Sequence, residues 1–181
     1  MSSMCRFHAC HDSRNFNIMK TYILNELNEA KAARIDVLLH MLSPDAPALG
    51  PARLSELLAD DSFQLFVTED TDGKLAGMLT LTRCHTLSRS KFWIEDVIVD
   101  PTYRGQGVGR ALVHAAVEHV KTNGQSLHQN DEGVTTQDMK QEMTEEHPSI
   151  YLTSNPSRTA ARALYRSEGF EEYETGVFRI V

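Results

Sequence analysis

The clearest structural pattern in this sequence is a short apolar strand that leads through a glycine-rich turn into a helix. Residues 91–99 are strand-like, and from residue 108 onward apolar side chains recur at helical spacing. Between these segments lies a loop with three alternating glycines, Arg104-Gly105-Gln106-Gly107-Val108-Gly109. Because glycines leave little side-chain bulk, the backbone N–H groups of residues 105–110 can converge on an anion at the start of the helix. The loop therefore predicts a binding site for a pyrophosphate.

Two other phosphate-binding motifs do not fit this loop. The dinucleotide-binding fingerprint requires a glycine at the position of Arg110, and no Gly-Lys-Ser/Thr follows as a P-loop requires. A structural alternative stays open, in which the glycines serve only the tight packing of the strand against the helix.

Hydrophobic periodicity predicts strands and helices in the order βααβββαβαββ. The predicted strands are residues 21–24, 63–68, 75–83, 91–99, 149–153, 170–175 and 177–181, and the predicted helices are residues 30–42, 54–58, 108–120 and 155–168. We expect Asn155 to cap the last helix, with Pro156 at its first position. The order is typical of an α/β (α+β) fold with a mixed sheet and helices on both faces. We expect one domain at residues 20–181, with a flexible arm at residues 1–19 before it and a polar insertion at residues 123–148.

Composition excludes several classes of protein. The 181 residues carry 25 Asp and Glu against 18 Lys and Arg, a net charge of −7, which argues against binding to nucleic acid or an anionic membrane. No apolar stretch approaches the ~18–20 residues of a membrane-spanning helix, and no secretory signal is evident, so we expect a cytoplasmic protein. Three cysteines fit a reducing compartment. We expect no metal site, because the soft ligands near the N-terminus crowd one segment instead of forming two separated pairs: Cys5, His8, Cys10 and His11.

Two blocks of the sequence together resemble one family. The segment at residues 100–109, Asp-Pro-Thr-Tyr-Arg-Gly-Gln-Gly-Val-Gly, follows an apolar strand and resembles the coenzyme-A loop of the GNAT superfamily of N-acetyltransferases. The second block lies after the next predicted strand and comprises Asn155, Ala160, Ala161, Leu164, Tyr165, Gly169 and Phe170. The resemblance implies a mixed, mostly antiparallel sheet of about six to seven strands flanked by about four helices, with a splay between the two central parallel strands.

The resemblance also implies an activity and a co-substrate. The family transfers the acetyl group of acetyl-CoA directly to a primary amine of a small molecule or a peptide, and uses no metal. The backbone of Val97, Ile98 and Val99 would pair with the pantetheine arm, and Asn155 would contact that arm or act as a plain helix cap. The pyrophosphate would be held by the loop residues Arg104, Gly105, Gln106, Gly107, Val108, Gly109 and Arg110.

Three residues are candidates for catalysis. Tyr165 matches the tyrosine that the family places near the sulfur of coenzyme A, although its helix position also suits a core aromatic. An acceptor amine with a pKa near ~10 must lose a proton before it attacks, so a base is required. Glu95 and Asp96 lie on the strand that leads into the predicted cleft, and strand alternation predicts that they point to opposite faces. We favour Glu95 as the base, while solvated carboxylates remain the alternative.

Two functional hypotheses remain at this stage. The first is an acetyl-CoA-dependent N-acetyltransferase, and the second is a non-catalytic acyl-CoA-binding sensor or interaction domain. The amine acceptor is not predicted, because the first two helices and the hairpin loops would line its site and neither motif reaches them. A homodimer is compatible with a C-terminal strand at residues 177–181 that pairs between subunits.

Overall fold

A five-stranded sheet lies between helices in the computed structural model, which describes residues 19–87, 89–123, 149–177 and 180. The strands are β1 (Lys20–Ile23), β2 (Phe63–Glu69), β3 (Leu75–His85), β4 (Ser90–Val99) and β5 (Ser149–Leu152). The helices are α1 (Glu29–Leu42), α2 (Pro51–Leu58), α3 (Val108–Asn123) and α4 (Thr159–Ser167), with a short 3-10 turn at Pro101–Tyr103. The spatial order of the strands follows their order in the chain, and all neighbours are antiparallel except β4 and β5, which are parallel.

Local polar side chains fix several of these boundaries. The Asn28 side chain accepts a hydrogen bond of 2.8 Å from the Lys31 N–H and so caps α1. At the turn between β2 and β3, Asp70 Oδ1 accepts the N–H groups of Asp72 and Lys74 at 3.0 and 2.9 Å. These contacts set the pairing of the hairpin that the sequence predicts.

The sheet separates two apolar cores. On one face α3 packs against β2, β3 and β4, with Leu79 and Leu112 among the buried side chains. On the other face α1 and α2 pack against β2, β3 and the end of β4, with Leu38 and Leu54 buried there. Both faces of the sheet are covered near β2 and β3, as the predicted element order requires.

The predicted count of six to seven strands is not confirmed, because the described residues form five. Residues 170–175 are not a strand in the structure. Instead Phe170 turns back so that its ring meets Tyr165 edge-on at 6.2 Å. The carboxylate of Glu172 pairs with Arg162 at 2.8 Å and also with Arg166. These contacts hold the start of the segment against α4.

The predicted start of the last helix is also wrong. α4 begins at Thr159, and Asn155 does not cap it. The Asn155 Oδ1 atom instead accepts the N–H and the hydroxyl of Ser157 at 2.9 and 2.8 Å, which closes a separate turn before the helix. The asparagine therefore shapes the approach to the helix.

Several predictions lie outside the described residues. These are the N-terminal arm up to residue 18, with Cys5 to His11, the polar insertion at residues 124–148, and most of the predicted strand at residues 177–181.

A buried ion pair joins α1 to the chain that leaves β4. Arg34 pairs with Asp100, and their side chains are 16% and 7% exposed. Arg34 Nε also donates to the carbonyl of Leu75 at 3.0 Å, while Asp100 Oδ1 accepts the N–H and hydroxyl of Thr102 at 2.8 and 2.7 Å. The Arg34 guanidinium and then the Thr102 hydroxyl hold the pKa of Asp100 well below its usual range. The ionised carboxylate thus stabilises the fold above the unfolded-state pKa of about 4, and this contribution is lost as the pH falls towards the folded-state pKa.

We expect Arg34→Met to lower the free energy of unfolding by about 3 kcal/mol near neutral pH, because it leaves the Asp100 carboxylate buried without its partner. The difference from the unaltered protein should be smaller at about pH 3, because the contribution of the ionised carboxylate falls progressively as the pH drops from about 4 towards the folded-state pKa of Asp100. Urea denaturation at the two pH values measures both effects. The matched control is Arg53→Met, since Arg53 pairs with Glu56 at an exposed site and its loss should cost less than about 1 kcal/mol. Equal losses in the two variants would contradict the assignment.

Candidate active site

β4 carries a bulge near its middle. The register of β4 against β3 shifts by one residue there, so that Asp96 and Val97 together oppose Leu79. Asp96 has a φ of 50°, a left-handed conformation that is uncommon outside glycine. The hydroxyl of Thr80 donates to Asp96 Oδ2 at 3.3 Å and holds the carboxylate across the strands. Tertiary contact therefore supports the bulge.

Because of the bulge, the side chains of β4 that follow it point to the opposite face of the sheet from the one that regular alternation predicts. Phe92 and Ile94 pack into the core under α3, whereas Ile98 packs into the core under α1 and α2. Val97 and Val99 continue the row that faces α3. In an uninterrupted strand, residues 92, 94 and 98 would share one face. The regular alternation that the sequence predicts is thus broken next to Glu95.

β4 and β5 separate just before this bulge. Their parallel pairing joins residues 91–94 to residues 149–152 and ends there. Beyond it, a cleft with a volume of about 740 Å³ lies between the end of β4 on one side and α4 with its preceding turn on the other. Val97, Ile98 and Val99 lie along the β4 wall. The splay implied by the sequence resemblance is therefore present as a cleft between β4 and α4.

The glycine loop lies at one end of the cleft. Gly105 and Gly107 have φ of 76° and 85°, a region that side chains occupy only at a cost. Among the described residues, the N–H groups of residues 105–110 donate to no backbone carbonyl. α3 begins at Val108, so these amides lie at the positive end of the helix dipole. This combination suits an anion.

A fourth glycine lets α3 reach the sheet. A Cβ atom added to Gly77 would lie 2.8 Å from the carbonyl oxygen of Ile98 and 3.0 Å from Cγ1 of Val108. The side chains at the start of α3 therefore pack directly against the backbone of β3 at Gly77, and this close approach positions the glycine loop against the cleft.

Arginines surround the anion end of the cleft. Arg104 Nε donates to the carbonyl of Val99 at 3.3 Å, and Arg110 Nε lies 3.2 Å from the carboxylate of Glu168. Arg158 lines the opposite wall at the start of α4. The sequence does not predict a role for Arg158, because a single arginine in a turn forms no recognisable pattern. Tyr103, within the segment at residues 100–109, also lines the cleft and was not predicted as a site residue.

Three predicted cofactor residues do not turn their side chains to the cleft. Gln106 donates back to the carbonyl of Thr102 at 3.0 Å, Val108 is buried in the core, and Asn155 closes its own turn. The wall residues that the sequence did predict are Val97, Ile98, Val99, Arg104, Gly105, Gly107, Gly109, Arg110 and Tyr165.

Tyr165 is buried at the inner part of the cleft. Its side chain is 6% exposed, and its hydroxyl makes no hydrogen bond with the described residues. Burial raises the pKa of Tyr165 above its usual value, the nearby charge of Arg158 opposes the rise, and the charge of Glu95 adds to it. The phenol therefore stays protonated near neutral pH and can donate a hydrogen bond.

Glu95 and Asp96 are both exposed. Partial loss of water around the carboxylate raises the pKa of Glu95 above its usual value, and the like charge of Asp96 adds to the shift. Neither carboxylate lines the cleft, but the charge of Glu95 is close enough to Tyr165 to raise the pKa of that tyrosine. The carboxylate of Asp96, by contrast, is held by Thr80.

The described ranges contain no group of three or more His, Cys, Asp or Glu side chains arranged to hold a metal ion. In the same part of the chain, no helix has the length and apolar character needed to cross a membrane.

The sequence matches a known family over more than half its length. The model of the acetyltransferase (GNAT) family matches residues 35–132, and the chain therefore belongs to the GNAT acetyltransferases. An uncharacterized N-acetyltransferase of Methanocaldococcus jannaschii is 33% identical over 75 residues, which is 39% of this chain and 32% of that protein. The chain spans about a third or less of the length of the curated relatives it matches, 27% and 32%.

Solved structures share the fold. An acetyltransferase of Trypanosoma brucei superposes with a TM-score of 0.65 at 21% identity, over 90% of this chain and 99% of that one. An aminoglycoside N-acetyltransferase in complex with coenzyme A gives a TM-score of 0.62 at 21% identity, over 90% and 94% of the two chains. The protein thus has the α+β fold of the GNAT family, with a mixed sheet flanked by four helices.

Proposed function

We propose that this chain transfers the acetyl group of acetyl-CoA directly to a primary amine of a small molecule or a peptide. The GNAT family to which it belongs uses acetyl-CoA. One observation carries the proposal. At one end of the cleft, amides at a helix N-terminus donate to no backbone carbonyl of the described residues, and in its inner part the Tyr165 hydroxyl lies within reach of the charge of Glu95. Such a cleft offers an anion site and a proton donor, with a base beside it.

Coenzyme A fits the groups that line this cleft. The amides of residues 105–110 would hold the pyrophosphate, and Arg104, Arg110 and Arg158 would add positive charge around it. Along β4, the edge that leaves β5 offers the backbone of residues 97–99 to the amides of the pantetheine arm. A volume of about 740 Å³ is ample for that arm and the acetyl group.

Glu95 suits the role of general base. When bound, acetyl-CoA supplies the acyl carbon: a C–N bond forms, the C–S bond breaks, the amine loses a proton and the sulfur gains one. The raised pKa of Glu95 makes its carboxylate a better proton acceptor than an ordinary glutamate. Asp96 is less suited, since its side chain supports the bulge.

Tyr165 suits the sulfur end of the reaction. Its raised pKa makes complete proton transfer to a thiolate with a pKa near ~8.5 unfavourable. A hydrogen bond from the phenol to the developing negative charge on sulfur is the role that its chemistry supports.

The test of the proposal is release of free thiol from acetyl-CoA with a panel of aromatic amines, polyamines, amino sugars, amino acids and lysine peptides, after the protein's cysteines are blanked. Turnover with any class supports the enzyme. A rise in melting temperature with acetyl-CoA but no turnover of any amine would favour the non-catalytic sensor. No response in either assay would overturn both assignments.

Gly107→Glu should weaken acetyl-CoA binding at least about 100-fold, because it adds negative charge and a strained side chain where the pyrophosphate would lie. Calorimetric titration measures the affinity. Gly50→Glu is the matched control: it adds the same charge in open space at the start of α2, away from the cleft. Unchanged binding by the Gly107 variant would contradict the position of the site.

Glu95→Gln should lower kcat about 100-fold with little change in acetyl-CoA affinity, because the amine loses its base. In the unaltered protein, kcat/KM should fall as the pH drops through the raised pKa of Glu95, and this limb should disappear in the variant. The matched change Asp96→Asn keeps an oxygen acceptor for Thr80 and a residue that tolerates positive φ, so it should cost far less activity. The reverse order of effects would make Asp96 the base.

Tyr165→Phe should lower kcat about 10- to 100-fold, which corresponds to the loss of one hydrogen bond to a charged group. The acetyl-CoA affinity should change less than about twofold, since the ring packing against Phe170 is kept. Equal turnover by the two proteins would remove Tyr165 from the reaction.

A further inference from the structure

Three aromatic rings form a continuous surface where β4 and β5 are still paired. Trp93 and Tyr151 are stacked, with ring centroids 5.4 Å apart, and Tyr173 meets Tyr151 edge-on at 6.3 Å. Tyr173 is 75% exposed, while Trp93 and Tyr151 are half-buried. We call these three rings the aromatic shelf. Because Trp93 and Tyr151 cover part of each other's faces, the surface that they leave to solvent consists largely of ring edges, and a flat apolar ligand can pack its face against such edges.

The shelf lies on the face of the sheet opposite α3. Phe92, Ile94, Ile150 and Leu152 pack into the core under α3, so alternation places Trp93 and Tyr151 on the other face. Glu95 follows Trp93 by two residues on the same strand, which places their backbones about 7 Å apart on one face. The proposed base therefore stands at one end of the shelf.

Charge differs between the two ends of the shelf. Glu95 and the neighbouring Asp96 are at the end nearer the cleft. Lys91 lies on the other side of Trp93 along β4, and its ammonium extends over the ring of Tyr151, 5.8 Å from the ring centroid. The carboxylates of Glu95 and Asp96 thus attract a cation, whereas the ammonium of Lys91 repels a second cation.

We infer that the aromatic shelf binds the body of the amine acceptor, and that this acceptor is an arylalkylamine: one cationic amine on a short chain that ends in a flat apolar ring. The inference rests on the proposed function, because it names the substrate class of the same site. The amine lies at Glu95, and the face of the ligand ring packs against the exposed edges of Trp93 and Tyr151. A diamine or polyamine is disfavoured, because its second ammonium meets Lys91 and its chain has no flat face.

The first experiment compares 2-phenylethylamine with 1,4-diaminobutane as acceptors. We expect kcat/KM to be at least about tenfold higher for 2-phenylethylamine, a difference of about 1.4 kcal/mol in transition-state binding. Lys91→Glu should shift that ratio at least about tenfold towards the diamine. Trp93→Ala should raise KM for 2-phenylethylamine about tenfold, whereas Trp93→Phe should largely restore it. The acetyl-CoA affinity of all variants should be unchanged.

A second readout does not depend on turnover. Trp93 is the one tryptophan of the chain, so its intrinsic fluorescence reports directly on the shelf. With coenzyme A present, 2-phenylethylamine should change this fluorescence saturably at millimolar concentrations, and 1,4-diaminobutane should not.

The outcomes separate the two proposals. Equal turnover of the two amines, with no shift in Lys91→Glu, overturns the acceptor class and leaves the transferase intact. A fluorescence signal that does not respond to 2-phenylethylamine likewise overturns the shelf as its binding site. If no amine is turned over and acetyl-CoA does not bind, the proposed acetyltransferase activity is wrong. The fluorescence titration then tests separately whether the aromatic shelf binds 2-phenylethylamine.

Discussion

The separation of β4 from β5 is the constraint on which the rest of the site depends. Backbone groups of neighbouring strands normally satisfy each other, and a strand that leaves its partner exposes an edge. Here the edge opens next to a bulge whose Asp96 is held in a left-handed conformation by Thr80. The bulge turns Val97 and Val99 towards the α3 side, and the cleft follows. Without the bulge, regular alternation would point Val97 and Val99 to the other face of the sheet, and they would not line the cleft.

The ion pair between Arg34 and Asp100 links this edge to the opposite layer. Asp100 directly follows β4 and caps the 3-10 turn that leads to the glycine loop, while Arg34 belongs to α1. Because Arg34 also binds the carbonyl of Leu75, one side chain fixes the relation of α1, β3 and the loop. The helix layer on the proposed acceptor side and the loop on the proposed cofactor side are thus held in one frame, which suits a transfer between two bound molecules.

The sequence predicts those parts of the protein that depend on local spacing. Gly105 and Gly107 have positive φ, a conformation that glycine adopts at little cost, so the spacing of the glycines alone predicted the tight loop before α3. The bulge escaped prediction because its support comes from Thr80 on another strand. The start of α4 was misplaced because Asn155 bonds Ser157 and not a helical amide. Residues 170–175 have a strand-like composition, yet the pairing of Glu172 with arginines of α4 outweighs it.

Positive and negative groups of the site lie in separate places, although the chain as a whole is acidic. The net charge of −7 has little effect at the glycine loop, since exposed charges farther away than about 8 Å are screened at physiological ionic strength. Arginines and unpaired amides make one end of the cleft positive, while Glu95 and Asp96 make the β4 surface beyond it negative. Glu168 holds Arg110 in place without reversing this order. In the proposed reaction, an anionic co-substrate and a cationic amine would be attracted to opposite ends, and their reactive groups would meet between Tyr165 and Glu95.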